Sequence, residues 1–211
     1  RYEKLLQPDI VALVAQIHEY KGKQMSFGEA KADALSQLLE VAKIQSTESS
    51  NKIEGTYTSE DRLKKIVRDK TMPKTRSEKE IAGYRDVLNT IHQNYDYIPL
   101  KSSIFLQLHR ELYKFAGSAG GGFKSADNVT VQEDGLGNKM IRVQSIPAWE
   151  TPVYIDTICD AFQEACQDPQ YDPLILISMF ILDFLCIHPF SDGNGRVSRL
   201  LTLPLLTRAG Y

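Results

Sequence analysis

A fifteen-residue apolar run near the C-terminus is the feature that most limits how this chain can fold. The run, PLILISMFILDFLCI, follows Asp172, and an aspartate before a proline is a typical opening of a helix. It is interrupted by Asp183 and is shorter than the stretch of about 20 apolar residues that a membrane-spanning helix needs. Because a helix that is apolar on all sides has to be covered on all sides, the run predicts a buried helix at the centre of a domain.

The rest of the chain predicts more helices and one pair of strands. Apolar residues recur at helical spacing in several segments, and capping residues or glycines mark where these segments begin and end. The predicted helical segments are 9–20, Ser26 to Gly55, 58–70, 77–95, 101–115 and 152–167. A last helix begins at Asn194, and Pro204 should kink it. In the second segment the predicted core stripe is Leu35, Leu38, Leu39 and Ala42. Between Phe123 and Ile146, alternating apolar residues flank a glycine-rich turn, which indicates a β-hairpin. The predicted fold class is therefore mainly α: a helical bundle around a central buried helix, with one β-hairpin flap.

Composition narrows the functional classes. The chain has 211 residues, 42% of them hydrophobic, which is enough for one sizeable core. A formal net charge of −2 provides no basic field for nucleic acid or an anionic membrane. The three cysteines lack metal-binding spacing, so we expect no disulfide or zinc site and predict a cytoplasmic protein. We also expect a fragment, cut at its C-terminal end.

The segment HPFSDGNGRVSRLL, residues 188–201, concentrates groups that handle phosphate. Gly193, Asn194 and Gly195 lead into a helix, where backbone N–H groups and the positive end of the dipole form a cradle for an anion. Arg196 and Arg199 are three residues apart, so both guanidinium groups could bind further phosphate oxygens from one side of the helix.

The same segment supplies a metal ligand and a base. Asp192 offers the hard oxygen that Mg²⁺ prefers, and His188 can take a proton near neutral pH. Each group also has an ordinary structural explanation: a buried histidine, a turn, or a solvated helix face. The functional interpretation rests on their occurring together without gaps.

The sequence HPFSDGNGRVSR matches the HPFx(D/E)GNGRxxR signature of the Fic (filamentation induced by cAMP) family without a departure, and the chain resembles that family over residues 30–211. The upstream LHRELY and the predicted hairpin are similar as well. The resemblance implies the Fic fold and an enzyme that transfers AMP from ATP to a Ser, Thr or Tyr hydroxyl of a target protein. The phosphorylating relatives carry Asn-Lys-Arg in place of residues 194–196, so AMP transfer is favoured.

The resemblance assigns a role to each residue of the signature. It makes His188 the general base and Asp192 the ligand of Mg²⁺, with Phe190 as the apolar anchor of the loop. It makes Gly193, Asn194 and Gly195 the anion hole and gives Arg196 and Arg199 the β- and γ-phosphates. In the hairpin, Val129, Thr130 and Val131 would dock the target segment by strand addition.

A second motif suggests control of this site. Ser50, Glu54 and Gly55 match the (S/T)xxxE(G/N) inhibitory motif of the same family. The spacing of four places Ser50 and Glu54 on one face of a helix. The resemblance implies that Glu54 pairs with Arg199 and obstructs productive ATP binding. Without the downstream signature, Glu54 would be read as an ordinary helix-end carboxylate.

The predicted organisation is an N-terminal helical region, 1–75, that carries the inhibitory helix, followed by a Fic catalytic core, 76–211. The expected partners are ATP, with Mg²⁺ as cofactor, and a target protein with an acceptor hydroxyl. No membrane partner is expected, a homo-oligomer is compatible with the sequence, and nucleic acid would bind only through a missing C-terminal domain. Two alternatives stay open: an enzyme that removes AMP with the help of Glu54, and a regulator that senses nucleotide without turnover.

Overall fold

The structure is a computed structural model that describes residues 1–27, 32–117, 120–127, 129–133 and 139–211, with side chains outside 25–34 and 128–144. These ranges contain eight α-helices: α1 (Pro8–Phe27), α2 (Ala32–Ile53), α3 (Glu60–Arg68), α4 (Arg76–Asn94), α5 (Ser102–Tyr113), α6 (Thr151–Ala165), α7 (Pro173–Ile187) and α8 (Asn194–Arg208). The mainly helical character predicted from the sequence is confirmed. The helical segments agree closely, except that α1 continues to Phe27, so no helix begins at Ser26.

The main core lies between α4, α5, α6, α7 and α8. Phe105 of α5 is fully buried and meets Phe180 and Phe184 of α7 edge to face, with centroid distances of 6.3 and 5.8 Å. Where α4 meets α5, the helices approach so closely that a side chain at Gly83 would strike the carbonyl oxygen of Leu112. This close contact fixes the position of α5 beside the C-terminal helices.

Helix α7 is central, but the prediction that it is buried on every side is wrong. Ser178, Leu182 and Cys186 are exposed at a spacing of four, and Leu182 keeps 54% of its surface. Only part of this face borders α1, whose Ile10 and Val14 line an apolar groove with α7. Although the sequence of α7 is apolar on all sides, one face of the helix is therefore partly exposed.

Helix α2 packs through polar residues rather than through its predicted apolar stripe. Leu35 and Leu38 are 47% and 63% exposed. Instead Thr47, Ser50 and Asn51 are buried, and the Asn51 amide donates to the Thr47 carbonyl at 2.7 Å. Of these buried polar residues, Ser50 contacts α8 through Arg199.

The segment predicted as a hairpin contains two strands, β1 (Val129–Glu133) and β2 (Lys139–Gln144), paired antiparallel with an irregularity between Thr130 and Val131. The side chains of both strands and the turn between them lie outside the described residues. At the C-terminal end, α8 continues through Pro204 to Arg208. Within the described ranges, no helix combines the length and hydropathy that a membrane crossing requires.

Candidate active site

The candidate site begins where α7 ends. His188 terminates the helix in a left-handed conformation, with φ 52° and ψ 62°, and its N–H donates to the Phe184 carbonyl at 3.0 Å. For a residue other than glycine, asparagine or aspartate this conformation is unusual and costs about 1–2 kcal/mol. The turn directs the chain away from α7 and into the loop before α8.

Two side chains hold that loop against the core. Asn194 is 3% exposed; its Oδ1 accepts from the Phe190 N–H at 2.9 Å, and its amide donates to the Phe190 carbonyl at 2.7 Å. Phe190 is fully buried, and its ring is stacked on the imidazole of His109 at 3.9 Å between centroids. The Asn194 side chain is therefore committed to closing the loop, and only its backbone N–H remains to face an anion.

The loop enters α8 through a left-handed glycine. Gly193 has φ +80°, and a side chain there would strike the Tyr113 ring, so glycine is required. The Gly193 N–H donates to its neighbour Asp192 at 2.6 Å. The amides of residues 194–196 lie in the first helical turn, where no carbonyl of the same helix can accept from them.

His109 of α5 holds the loop before α8 by a hydrogen bond. Its Nδ1 accepts from the Gly121 N–H at 2.9 Å, which leaves Nε2 to carry the proton and donate to the Asp192 carbonyl at 3.1 Å. Burial lowers the pKa of His109, although Asp192 opposes the shift. A neutral imidazole of this tautomer keeps both hydrogen bonds at neutral pH.

The two signature arginines do not form one clamp, contrary to the prediction from their spacing. Arg196 is 2% exposed, and its guanidinium donates to Glu80 of α4 at 2.7 Å and to the Tyr113 hydroxyl at 2.7 Å. Its Nε has no partner among the described residues. Arg199 points to α2 instead. Because Glu80 balances the charge of Arg196 inside the core, the Arg196 side chain is not free to hold a phosphate in this conformation.

Asp192 is an exposed, ionised carboxylate. Partial burial alone would raise its pKa, but the hydrogen bonds from Tyr113 and from the Gly193 N–H, together with the charge of Arg196, hold the pKa below its usual value. Burial raises the pKa of Tyr113, so this phenol stays protonated between Asp192 and Arg196. Asp192 is thus available to a cation from the solvent side, with Tyr113 fixing its orientation.

The residues of the predicted inhibitory motif meet Arg199. Its Nε donates to the Ser50 hydroxyl at 2.8 Å, and one terminal nitrogen donates to the Ser50 carbonyl at 3.0 Å and to Glu54 Oε1 at 2.6 Å. The Glu54 carboxylate also lies directly over Gly195, where any side chain would collide with it. An anion from the N-terminal part of the chain therefore occupies the space next to the cradle.

Gly55 shapes the end of α2 that carries this anion. The Gly55 N–H donates to the Lys52 carbonyl and the Thr56 N–H to the Asn51 carbonyl, both at 2.9 Å. These are the two bonds of a Schellman motif, which needs a left-handed residue at the Gly55 position, and its φ is +75°. The motif ends α2 at Ile53, so that Glu54 is the residue that caps the helix.

His188 is half-buried. Burial lowers the pKa of its imidazole, and the Lys124 ammonium acts in the same direction, while the Leu185 carbonyl, Asp192 and Glu54 act against the shift. The imidazole is therefore largely neutral at pH 7 and can accept a proton.

Four residues of this site were not singled out by the motif analysis: Glu80, His109, Tyr113 and Lys124. His109 and Tyr113 are four apart in LHRELY, so one helical face carries both; this spacing could have indicated their joint role. Glu80 and Lys124 carry no local signal, because their partners are distant in sequence. The hairpin residues Val129, Thr130 and Val131 lie in β1, and nothing further about their side chains is described.

The Fic/DOC family model matches residues 99–206, about half of the chain, including the loop and most of α8. The chain therefore belongs to the Fic/DOC family.

Individual relatives match over shorter stretches. The chain is 31% identical over 133 residues to a protein adenylyltransferase Fic from Culex quinquefasciatus, a match that covers 62% of this chain and 24% of that protein. It is 54% identical over 41 residues to the protein of the same name from Aedes aegypti, covering 19% of this chain and 8% of that protein. The chain thus spans about a quarter or less of these relatives.

Solved structures extend the likeness to nearly the whole chain. A Fic domain containing signaling protein from Bacteroides thetaiotaomicron superposes with a TM-score of 0.79 at 22% identity, covering 94% of this chain and 73% of that one. Fic-1 from C. elegans superposes with a TM-score of 0.66 at 18% identity, covering 96% and 61%. At these identities the likeness establishes the shared fold.

Proposed function

We propose that this chain is an autoinhibited protein adenylyltransferase that transfers AMP from ATP to a Ser, Thr or Tyr hydroxyl of a target protein. One observation carries the proposal: the Glu54 carboxylate lies on Arg199 and over Gly195, beside the amides that open α8. A site that binds one anion in this way is suited to another, and ATP has to displace Glu54 to use it. The relatives named protein adenylyltransferase Fic support the reaction class.

The proposed reaction assigns one role to each group. The target hydroxyl oxygen attacks the α-phosphorus of ATP, its proton passes to the neutral imidazole of His188, and pyrophosphate leaves. The amides of residues 194–196 receive charge that develops on the phosphate oxygens. Arg199, once released from Glu54, binds the terminal phosphate.

The residues present fit a magnesium ion held mainly by the nucleotide. Asp192 supplies one exposed carboxylate, and the described residues include no cluster of three side chains that would hold a metal without the substrate. Mg²⁺ commonly binds through one or two carboxylates together with substrate phosphates. When bound there, the ion would neutralise phosphate charge and orient the leaving group.

Two further parts of the proposal concern organisation and the target. The inhibitory helix belongs to an N-terminal region, residues 1–75, and the catalytic core to residues 76–211, in a cytoplasmic protein. The target segment adds as a strand beside Val129, Thr130 and Val131, which an exposed strand edge near an active site would favour. The phosphate sites of the proposal therefore lie on α8 and the target site on β1.

Replacing Glu54 by glycine should raise AMP incorporation into the chain and its target. The change removes a charged hydrogen bond to Arg199, worth about 1.5–3 kcal/mol, so the expected gain is roughly ten- to hundredfold. Incorporation is measured by mass spectrometry after incubation with ATP and Mg²⁺, as a mass gain equal to AMP.

Glu48→Gly is the matched control for this experiment. Glu48 lies on the same helix, one turn and a half earlier, and pairs only with Lys52 among the described residues. The control places a glycine inside α2 itself but leaves Arg199 bound, so it should not activate. Equal activity of Glu54→Gly and the unchanged chain would contradict the inhibitory role.

A second candidate activity, removal of AMP from a modified target, is favoured by the second carboxylate oxygen of Glu54. Among the described residues only Oε1 of this carboxylate accepts a hydrogen bond, and Glu54 acts electrostatically on His188. Its other oxygen can orient a water for attack on the AMP–protein bond. The unchanged chain should then release AMP from a purified modified target, and Glu54→Gln should release none; release that survives the substitution would argue against it.

A further inference from the structure

Lys124 is buried in the core beside the proposed catalytic histidine. It lies five positions before the start of β1 and is 3% exposed. Lysine is rarely buried to this extent unless its ammonium has partners. Burial lowers the pKa of Lys124, and the charge of Asp127 opposes the shift, so the buried position of this lysine needs a structural explanation.

Lys124 makes hydrogen bonds to the residues directly before and after His188. Its backbone N–H donates to the Pro189 carbonyl at 2.8 Å, and its ammonium donates to the Ile187 carbonyl at 2.9 Å. One residue thus holds the carbonyl groups on both sides of the histidine. The ammonium also donates to the Ser145 hydroxyl at 2.8 Å.

These bonds act on a strained turn. His188 has the left-handed conformation described above, and such conformations persist only where the surroundings impose them. The bond to the Ile187 carbonyl restrains the peptide group directly before His188, and the bond to the Pro189 carbonyl restrains the peptide group that follows Pro189. Ser145 directly follows β2, so the same ammonium joins this turn to the base of the two strands.

We propose that Lys124 is the positioning residue for His188: it holds the turn that carries the imidazole and connects that turn to the base of the β1–β2 pair. The inference builds on the proposed AMP transfer, because it concerns the base of that reaction. A lysine that only filled the core would stabilise the fold without affecting how His188 titrates or how fast the bound substrate reacts.

The charged groups that act on His188 define a test of this difference. They are Lys124 from the segment before β1, Asp192 from the loop and Glu54 from the end of α2. Of these only the lysine favours the neutral imidazole. Removing the ammonium should therefore raise the pKa of His188, and the acid limb of the activity profile should move to higher pH.

The experiment compares Lys124→Met with Lys124→Arg in the activated Glu54→Gly chain. The methionine keeps the volume but removes the donors and the charge, whereas arginine retains both. We expect the methionine variant to lose roughly ten- to hundredfold in kcat with little change in the KM for ATP, as a misplaced base does. The arginine variant should recover most of the activity, and Lys101→Met, at an exposed lysine, should change neither quantity.

A second measurement is independent of catalysis. Proton NMR titration follows the imidazole of each of the four histidines, and the His188 signal is assigned by its loss in a His188→Asn variant. Its pKa should be higher in Lys124→Met than in Lys124→Arg. If the methionine variant does not fold, Lys124→Gln, which keeps a donor and loses the charge, replaces it in both measurements.

The outcomes separate the two proposals. A folded methionine or glutamine variant with unchanged kcat and unchanged His188 titration overturns the role of Lys124. Absence of AMP incorporation by Glu54→Gly itself counts against the proposed function, while the NMR titration still decides whether Lys124 controls His188.

Discussion

Replacing His188 by alanine in the Glu54→Gly chain should reduce AMP transfer by about 10²–10⁴-fold, the usual contribution of a general base. The imidazole is the group placed at the entrance of the α8 loop, and its lowered pKa keeps it able to accept a proton at pH 7. No other described histidine can replace it, because both ring nitrogens of the neighbouring His109 are engaged by Gly121 and Asp192. The rate is followed as AMP incorporated per minute at saturating ATP.

The control for this prediction is His92→Ala. His92 is a partly buried histidine on α4, and burial lowers its pKa as it does that of His188, so loss of activity there would indicate a general effect of removing an imidazole. His188→Asn is a useful second variant, since asparagine tolerates the left-handed conformation. A folded His188 variant that keeps more than about a tenth of the rate would remove the histidine from the role of base.

The same variant distinguishes an enzyme from a nucleotide sensor. Sensing requires the phosphate site but no base, so ATP binding measured by calorimetry should be little changed in His188→Ala. If His188→Ala still binds ATP but no longer transfers AMP, the result supports an enzyme. If the chain with His188 intact already transfers no AMP, the result supports a nucleotide sensor.

Replacing Glu80 by alanine should destabilise the protein by about 3 kcal/mol, because it removes the buried counter-charge of the Arg196 guanidinium. Both side chains of this pair are less than a tenth exposed, and they are 2.7 Å apart. The Tyr113 hydroxyl would remain as a partner of Arg196, and the exposed Asp192 carboxylate, 3.6 Å away, would be a weaker counter-charge. The change is measured as the free energy of unfolding in urea.

Arg76→Ala gives the matched comparison. Arg76 binds the same Glu80 carboxylate at 3.3 Å, but its side chain is 86% exposed, so its loss should change stability little. The double variant Glu80→Ala with Arg196→Met should be less destabilised than the sum of the single changes, because removing both charges leaves none unpaired. A cost for Glu80→Ala no larger than that for Arg76→Ala would show that Arg196 is solvated.

The helices could be predicted because their signals are local. Thr151 with Pro152 and Asp172 with Pro173 mark the starts of α6 and α7, and both helices begin there. Gly55 marks the end of α2 through a bond pattern that spans only six neighbouring positions. Packing is different: Leu35 and Leu38 have the spacing of a core stripe, yet both stay exposed because the other face of α2 packs on the protein.

Arg196 and Arg199 show the same limit at the site. They lie three positions apart on α8, and from sequence they look equivalent. The side chain of each is directed by a carboxylate more than a hundred positions away, Glu80 for Arg196 and Glu54 for Arg199. Only the second of these carboxylates belongs to a recognisable motif, so only that pairing could be anticipated.

The amino-acid sequence by itself determined the helical character of the chain, the contiguous loop from His188 to Arg199, and its membership in the Fic/DOC family, since each depends on residues close together along the chain. The tertiary structure alone decided which arginine is buried, which residues hold His188 in its turn, and what lies over Gly195. Those features depend on how α2, α4 and the segment before β1 approach α8 and its loop. Contacts between segments so far apart in the chain produce no periodic pattern in the sequence.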